Sequence, residues 1–464
     1  MTGSTKFAQR ALAMVAFVCA AGAQAQVKLL ATGTLSGTSA GYDADLSGLT
    51  GTLENGVPAN QLGGLGSGIT YVSTDRFLAV PDRGPNAVTY NALVDNTDSY
   101  INRFHTIKMN LQANTSGSGL PFTIAPTVEK TTLLSSPSAL VYGSGAGLGV
   151  GPGAPAQNYV SQYFFTGRSD NFDPTQSSGN TADARLDPEG IRLSNDGLSV
   201  FISDEYGPYI YQFNRAKGTR TRTFTLPAKY FVSKLAPVGD TEISGNTSGR
   251  TANKGVEGLA LTPDGKTLVA MVQAPLIQDQ NAGATNLLRF VTIDVASGNV
   301  THEYAYNLTK GSGVSEIIAL NNDEILVDER DGKGLGDGSS AKYKQVYKVR
   351  FTGATDVSNM AGPQATQNAV SKTLFLDIVN VLTATNLFTA TTIPAKIEGL
   401  AFGPDVQVNG VATHTLWVAN DNDFLQDYNG ATNSNPNRFF VFGFTDSDLG
   451  GSVYVPQTRT GNLN

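Results

Sequence analysis

Four glutamates each head nearly the same phrase. Glu189 opens E-G-I-R-L-S-N-D-G-L-S-V-F-I-S-D-E, and Glu257 opens E-G-L-A-L-T-P-D-G-K-T-L-V-A-M-V-Q. Glu316 opens E-I-I-A-L-N-N-D-E-I-L-V-D-E-R, and Glu398 opens E-G-L-A-F-G-P-D, followed by T-L-W-V-A-N-D-N-D. A weaker fifth copy begins at Gly68 with G-I-T-Y-V-S-T-D-R-F-L-A-V-P-D-R-G. Carboxylates gathered in one place repel one another and stay ionised only where a cation offsets them. A cluster of oxygen donors suits Ca²⁺ or Mg²⁺ rather than a soft metal. The alternative is that each glutamate only accepts backbone N–H groups and ties neighbouring elements together.

Each phrase also ends on acids: Asp82-Arg83, Asp204-Glu205, Asp328-Glu329-Arg330 and Asp421-Asn422-Asp423. These lie 14, 15, 12 and 23 residues after Gly68, Glu189, Glu316 and Glu398. The Glu257 copy departs, with Gln273 in that place. The expected metal-ligating set is therefore Glu189, Glu257, Glu316, Glu398, Asp82, Asp328 and Asp421. Arg83, Arg330, Arg192 and Lys396 stand close to these acids in the chain. Acids beside a few cations suit a phosphate ester, whose oxygens a metal and an arginine hold while a carboxylate activates water. Simple ion pairing is the competing account of each cation taken singly.

The elements that must position these residues are strands. Each phrase reads as strand, tight turn, strand, and Asn195-Asp196-Gly197, Pro263-Asp264-Gly265 and Gly403-Pro404-Asp405 carry turn chemistry. Spaced repeats of this kind predict an all-β β-propeller. Intervals of 68, 59 and 82 residues between the heading glutamates exceed a compact blade, so long loops are expected on one face. Six or seven blades fit the length. Arg438 to Phe444 is expected to pair with N-terminal strands and close the ring, and Ser371 to Leu387 is the one helix candidate.

Residues 1–25 read as a cleavable signal peptide, with Lys6 and Arg10, an apolar run from Ala11 to Ala21, and Ala23-Gln24-Ala25 as the cleavage site. This predicts a periplasmic or secreted protein cut after Ala25, with residues 26–464 forming one propeller domain. The Gly/Pro-rich stretch 143–157 reads as a loop inserted in it. Cys19, the sole cysteine, lies in the leader, so the mature chain forms no disulfide. No later run reaches the roughly 20 apolar residues of a membrane span. Without Lys6 and Arg10 the balance is 30 basic to 39 acidic residues, a net −9, which argues against nucleic acid as a partner. The three histidines are scattered, and no H-E-x-x-H, Arg-His-Gly or D-x-D-x-D-G motif occurs.

The set D-R-G-P-N (82–86), D-P-E-G-I (187–191), I-S-D-E-Y-G (202–207), G-V-E-G-L-A-L-T-P-D-G (255–265), I-E-G-L-A-F (397–402) and V-A-N-D-N-D-F (418–424) resembles the bacterial family described as esterase-like activity of phytase. The resemblance runs from about residue 60 to 445. It implies a secreted or periplasmic propeller, similar to calcium-dependent propeller phytases, that hydrolyses phosphate esters or esters with Ca²⁺. By position it carries over Asp82, Arg83, Glu189, Asp204, Glu205, Glu257, Glu316 and Glu398. In this reading Asp204 or Glu205 orients the attacking water, and Arg83 or Arg330 stabilises developing charge on a small-molecule substrate. Two other functions fit the same pattern: a calcium-stabilised propeller that only binds a ligand or partner, and a lactonase-type sugar-ester hydrolase.

Overall fold

The computed structural model describes residues 27–35, 43–85, 89–309, 311, 313–431 and 434–461. The expected signal peptide and Cys19 lie outside the described residues. Strand β1 (Lys28–Leu35) comes first in the chain and last in the ring. Blade I is β2 (Gly68–Ser73), β3 (Arg76–Val80), β4 (Arg103–Lys108) and β5 (Thr127–Leu133). Blade II is β6 (Pro188–Leu193), β7 (Ser199–Asp204), β8 (Tyr209–Asn214) and β9 (Arg220–Thr225). Blade III is β10 (Val256–Leu261), β11 (Thr267–Val272), β12 (Leu287–Asp294) and β13 (Val300–Asn307). Blade IV is β14 (Gly313–Ala319), β15 (Glu324–Arg330), β16 (Lys344–Arg350) and β17 (Lys372–Asp377). Blade V is β18 (Lys396–Phe402), β19 (Val411–Asp421), β20 (Asn437–Phe444) and, outermost, β1.

The propeller thus has five blades, not the six or seven expected from length. The innermost strands β2, β6, β10, β14 and β18 each pack on the next, and β18 packs back on β2. The surplus length lies in connections: residues 134–187 between blades I and II, 226–255 between II and III, and 378–395 between IV and V. The ring closes as expected, by antiparallel pairing of β1 with β20, for example Thr32 with Phe440. Closure pairs β20 on both sides and leaves β1 as the outer edge of blade V. The helix candidate divides: Lys372–Asp377 is the outer strand of blade IV, and only Ile378–Ala384 is helical. Asp377 makes the boundary, because its carboxylate caps the helix by accepting the Asn380 N–H.

The inner strands of each blade are buried on both faces, which explains their unbroken apolar runs. Along β11, Leu268, Ala270 and Val272 enter the apolar layer shared with blade II, while Val269 and Met271 enter the layer shared with blade IV. Five such layers alternate with five blades. Hairpin turns release the chain between strands: Gly197 and Gly265 both adopt φ 73°, a left-handed conformation that glycine enters without strain.

Candidate active site at one mouth of the channel

Each heading glutamate sits where an inner strand is irregular. The pairing of inner with second strand shifts between Pro188 and Ile191, Val256 and Gly258, Val314 and Glu316, and Ile397 and Leu400. A bulge of this kind turns a side chain out of the ladder. Register then defines two rings of equivalent positions, because Ile69, Ile191, Leu259, Ile317 and Leu400 pair with Ala79, Ile202, Ala270, Val327 and Val418. Two residues before the first set stand Ser67, Glu189, Glu257, Ser315 and Glu398. Three residues after the second set stand Asp82, Glu205, Gln273, Arg330 and Asp421.

Three expected residues stand elsewhere. Glu316 occupies the position that Gly68, Gly190, Gly258 and Gly399 fill in the other blades, and Ser315 takes the bulge. Glu316 pairs with Arg192 at 2.8 Å and accepts the N–H groups of Leu259 and Ile317. Asp204 is consumed by backbone, accepting from the N–H groups of Asp187, Tyr206 and Gly207 at 3.0–3.1 Å. Asp328 lies opposite Glu316, fully buried, with neither carboxyl oxygen bonded. The spacing that equated Asp82, Asp204 and Asp328 was therefore one residue off at blade II and two off at blade IV; Glu205 and Arg330 are the true equivalents of Asp82.

Among the described residues, the mouth gathers eight carboxyl groups (Asp82, Asp187, Glu189, Glu205, Glu257, Glu398, Asp421 and Asp423) and four cations (Arg83, Lys254, Arg330 and Lys396). Arg83 holds Asp187 through Nη1 at 2.7 Å and through its backbone N–H at 2.9 Å, and it also donates to Asn253. Lys396 binds Asp421 and reaches Asp423 at 2.8 Å and Glu398 at 3.7 Å. Arg330 binds Glu398 and donates through Nε to Ser315 Oγ at 2.5 Å. Gln273, in the ring position of the odd blade, donates to Glu257 at 2.8 Å and accepts from Lys254 at 3.0 Å.

Carboxyls outnumber cations two to one, and the surplus shows in their protonation. Burial, then the carboxylates around it, holds Glu189 well above the ordinary range. Glu257 is raised in the same way, by burial and then Glu205 and Glu398. Burial pushes Asp82 up to about 7, although Lys396 and Arg83 oppose it. Two triads offer oxygens within 4.8 Å of one another: Asp187, Glu189 and Glu205, and Asp82, Asp421 and Asp423. Lys396 pairs with two members of the second, and Arg83 with Asp187 alone in the first. Around the first, Glu205 Oε1, Glu257 Oε2 and Glu398 Oε2 are buried without a hydrogen-bond partner. Unbonded buried carboxylate oxygens and an all-oxygen donor set fit a hard divalent cation.

Sequence spacing missed Asp187 and Lys254 as members of this cluster. Asp187 was visible as the acid before Pro188-Glu189, in the connection that leads into β6. Lys254 carries no such signal, since only the fold brings it to Gln273.

An uncharacterized secreted protein of Arthroderma benhamiae is 29% identical over 229 residues, covering 41% of this chain and 44% of that protein. The chain thus spans under half of that relative's length. Among solved structures, the hydrazine synthase of Kuenenia stuttgartiensis is similar at 11% identity over 81% of this chain and 86% of that one, with a TM-score of 0.34. A luciferin-regenerating enzyme is similar at 10% identity over 86% and 97%, with a TM-score of 0.32. Among the described residues no helix is long and apolar enough to cross a membrane. From residue 60 to residue 424, across all five inner strands and both acid rings, the chain matches the phytase-like family described as esterase-like activity of phytase, and it belongs to that family.

Proposed function

We propose that this mouth is the active site of a secreted, calcium-dependent hydrolase of phosphate esters. The observation that carries the reading is the excess of buried carboxyls over cations at one end of the channel, with Glu205, Glu257 and Glu398 each keeping an unbonded oxygen. Asp187, Glu189 and Glu205 would hold Ca²⁺, which when bound supplies charge neutralisation for a phosphoryl group. Arg83 keeps Nε unbonded and faces the same carboxyls, so it is placed to take a phosphoryl oxygen. Arg330 adds positive charge near Glu257, and Lys254 reaches it through Gln273. Glu398, paired with Arg330, is the base: its unbonded Oε2 accepts a proton from the attacking water, whose oxygen bonds to phosphorus as the ester P–O bond breaks. The departing oxygen takes its proton from solvent. Three backbone N–H groups fill the carboxylate of Asp204, expected as a candidate for orienting the water, so this reading gives that role to another carboxyl.

Secretion is supported by the leader-like residues 1–25 and by the secreted relative. The test is turnover of p-nitrophenyl phosphate, p-nitrophenyl acetate and a lactone, each with Ca²⁺ and with a chelator. Calcium-dependent release from the phosphate alone is expected. Absence of phosphate release with Ca²⁺ present defeats the reading, and hydrolysis of the lactone alone moves the chemistry to carbon esters.

A further inference from the structure

We propose that the opposite mouth of the channel is a binding site for a small apolar carboxylate, held by Arg459 and Arg192 between walls of Ile69, Leu261, Ile318 and Leu400. The inner strands run parallel to the axis, so their C-terminal ends open a strand's length away from the carboxyl cluster. A cavity of about 320 Å³ lies there, at the lower end of the 300–1,000 Å³ typical of small-molecule sites. Its lining is largely aliphatic and aromatic, completed by Phe402 and Tyr454.

Two guanidinium groups line this apolar space. Arg192 is 5% exposed and lies across the channel, donating to the carbonyls of Ile69 and Ile317 and pairing with Glu316, yet its Nε is buried and unbonded. Arg459 donates to the carbonyls of Tyr71 at 2.7 Å and Ser194 at 3.4 Å, and among the described residues it has no carboxylate partner. Burial lowers its pKa to about 10, and the nearby Arg215 pushes the same way. The one carboxyl on the rim, Asp405, is half-exposed and already bound to His414 Nδ1 at 2.9 Å. A half-buried arginine such as Arg459, without a counter-ion, is costly, and a ligand carboxylate would offset that cost through a two-point contact.

The C-terminal segment forms the lid. Val455 donates to the Leu320 carbonyl at 2.9 Å, Thr458 to Pro263 at 2.8 Å and Thr460 to Asn195 at 2.8 Å, so the segment reaches three blades besides the Tyr71 contact of Arg459. Arg459 therefore belongs to the lid and Arg192 to the floor.

The test is calorimetric titration of the full chain with decanoate and with decan-1-ol, its neutral counterpart. Decanoate is expected to bind roughly tenfold to a hundredfold tighter, the ratio for a charge-assisted contact. Arg459→Gln should erase that preference and Arg459→Lys should keep most of it, with p-nitrophenyl phosphate turnover unchanged in both. Equal affinity for acid and alcohol, no binding of decanoate, or an undiminished preference in Arg459→Gln would overturn the proposal. The acid-to-alcohol ratio on the unaltered protein decides the matter even if a variant fails to fold.

Discussion

Replacing Glu189 by Gln removes a buried carboxyl whose strongest electrostatic neighbours are Glu257, Asp187, Glu205 and Glu398, all acids. Without calcium the Glu189→Gln protein should melt no lower than the parent, since a neutral amide replaces a carboxyl that its surroundings already hold protonated. With calcium its gain in melting temperature should largely vanish, and phosphate-ester turnover should fall by about a hundredfold or more. Glu316→Gln should behave in the opposite way. Its partner Arg192 is 5% exposed, and breaking a buried pair by removing one member costs about 3–5 kcal/mol. Its calcium-linked shift should survive. Parallel melting curves for the two variants, with and without calcium, check both outcomes; a lost calcium shift in Glu316→Gln would place that residue at the site after all. The difference between these residues is hidden in the sequence. S-E-I at 315–317 looks like a degraded E-G-I, and only the pairing of Ile317 with Val327 reveals that the serine holds the bulge. The glutamate took the glycine's position because Arg192 is there to receive it. His105 supplies a pH test away from the mouth. It is fully buried and burial lowers its pKa to about 3, so the folded chain leaves it neutral. The unfolded chain protonates it below about pH 6.5, so its contribution to stability is lost as pH falls from there towards 3, at about 1.4 kcal/mol per pH unit. Urea unfolding between pH 6.5 and 4 should show His105→Asn shallower than the parent by that slope; parallel slopes would count against it.

Inner-strand glycines govern how closely blades approach, and they differ measurably. A Cβ on Gly68 would lie 2.3 Å from the Glu189 carbonyl oxygen, in the backbone of the next blade. On Gly258 the nearest atom would be 3.1 Å away, a side-chain carbon of Ile317. Gly68→Ala should therefore cost about 1–3 kcal/mol and displace Glu189, lowering calcium affinity, while Gly258→Ala should cost less and leave affinity intact. Denaturant unfolding together with calcium titration of both variants checks the order. The strands themselves were largely legible, because double burial writes them as apolar runs bounded by turns such as Asn195-Asp196-Gly197. All five phrases became blades. The count of six or seven failed because length was divided by blade size, whereas residues 134–187 and 226–255 contribute connections and no blade. The helix boundary at Asp377 was illegible for a different reason. Lys372–Asp377 pairs with β16 through register, for example Leu376 with Val346, and a local pattern cannot announce a partner.

The ring as a whole joins two constraints that act at different places. On its outer rim, β1 pairs with β20 and locks blade V to the start of the chain. At the axis, the acid cluster draws on blades I, II, III and V, through Asp82, Glu205, Glu257 and Glu398. Crowding of these carboxyls at the axis, which already drives protons onto Glu189 and Glu257, works against the apolar layers that hold the blades together. A cation bound among Asp187, Glu189 and Glu205 would reverse the sign of the axial term, so calcium should stabilise the axial ends of the blades beside it. At a calcium concentration about a hundredfold above the dissociation constant the gain should be about 2.7 kcal/mol. Because the gain is delivered at the axis, hydrogen exchange should slow most at the bulged ends of β6 and β10, beside Glu189 and Glu257, and little in β1 and β20. Exchange measured with calcium and with a chelator tests this directly. Uniform slowing across all twenty blade strands would mean that the ion stabilises the molecule globally, and slowing confined to the outer rim would place the ion away from the channel mouth.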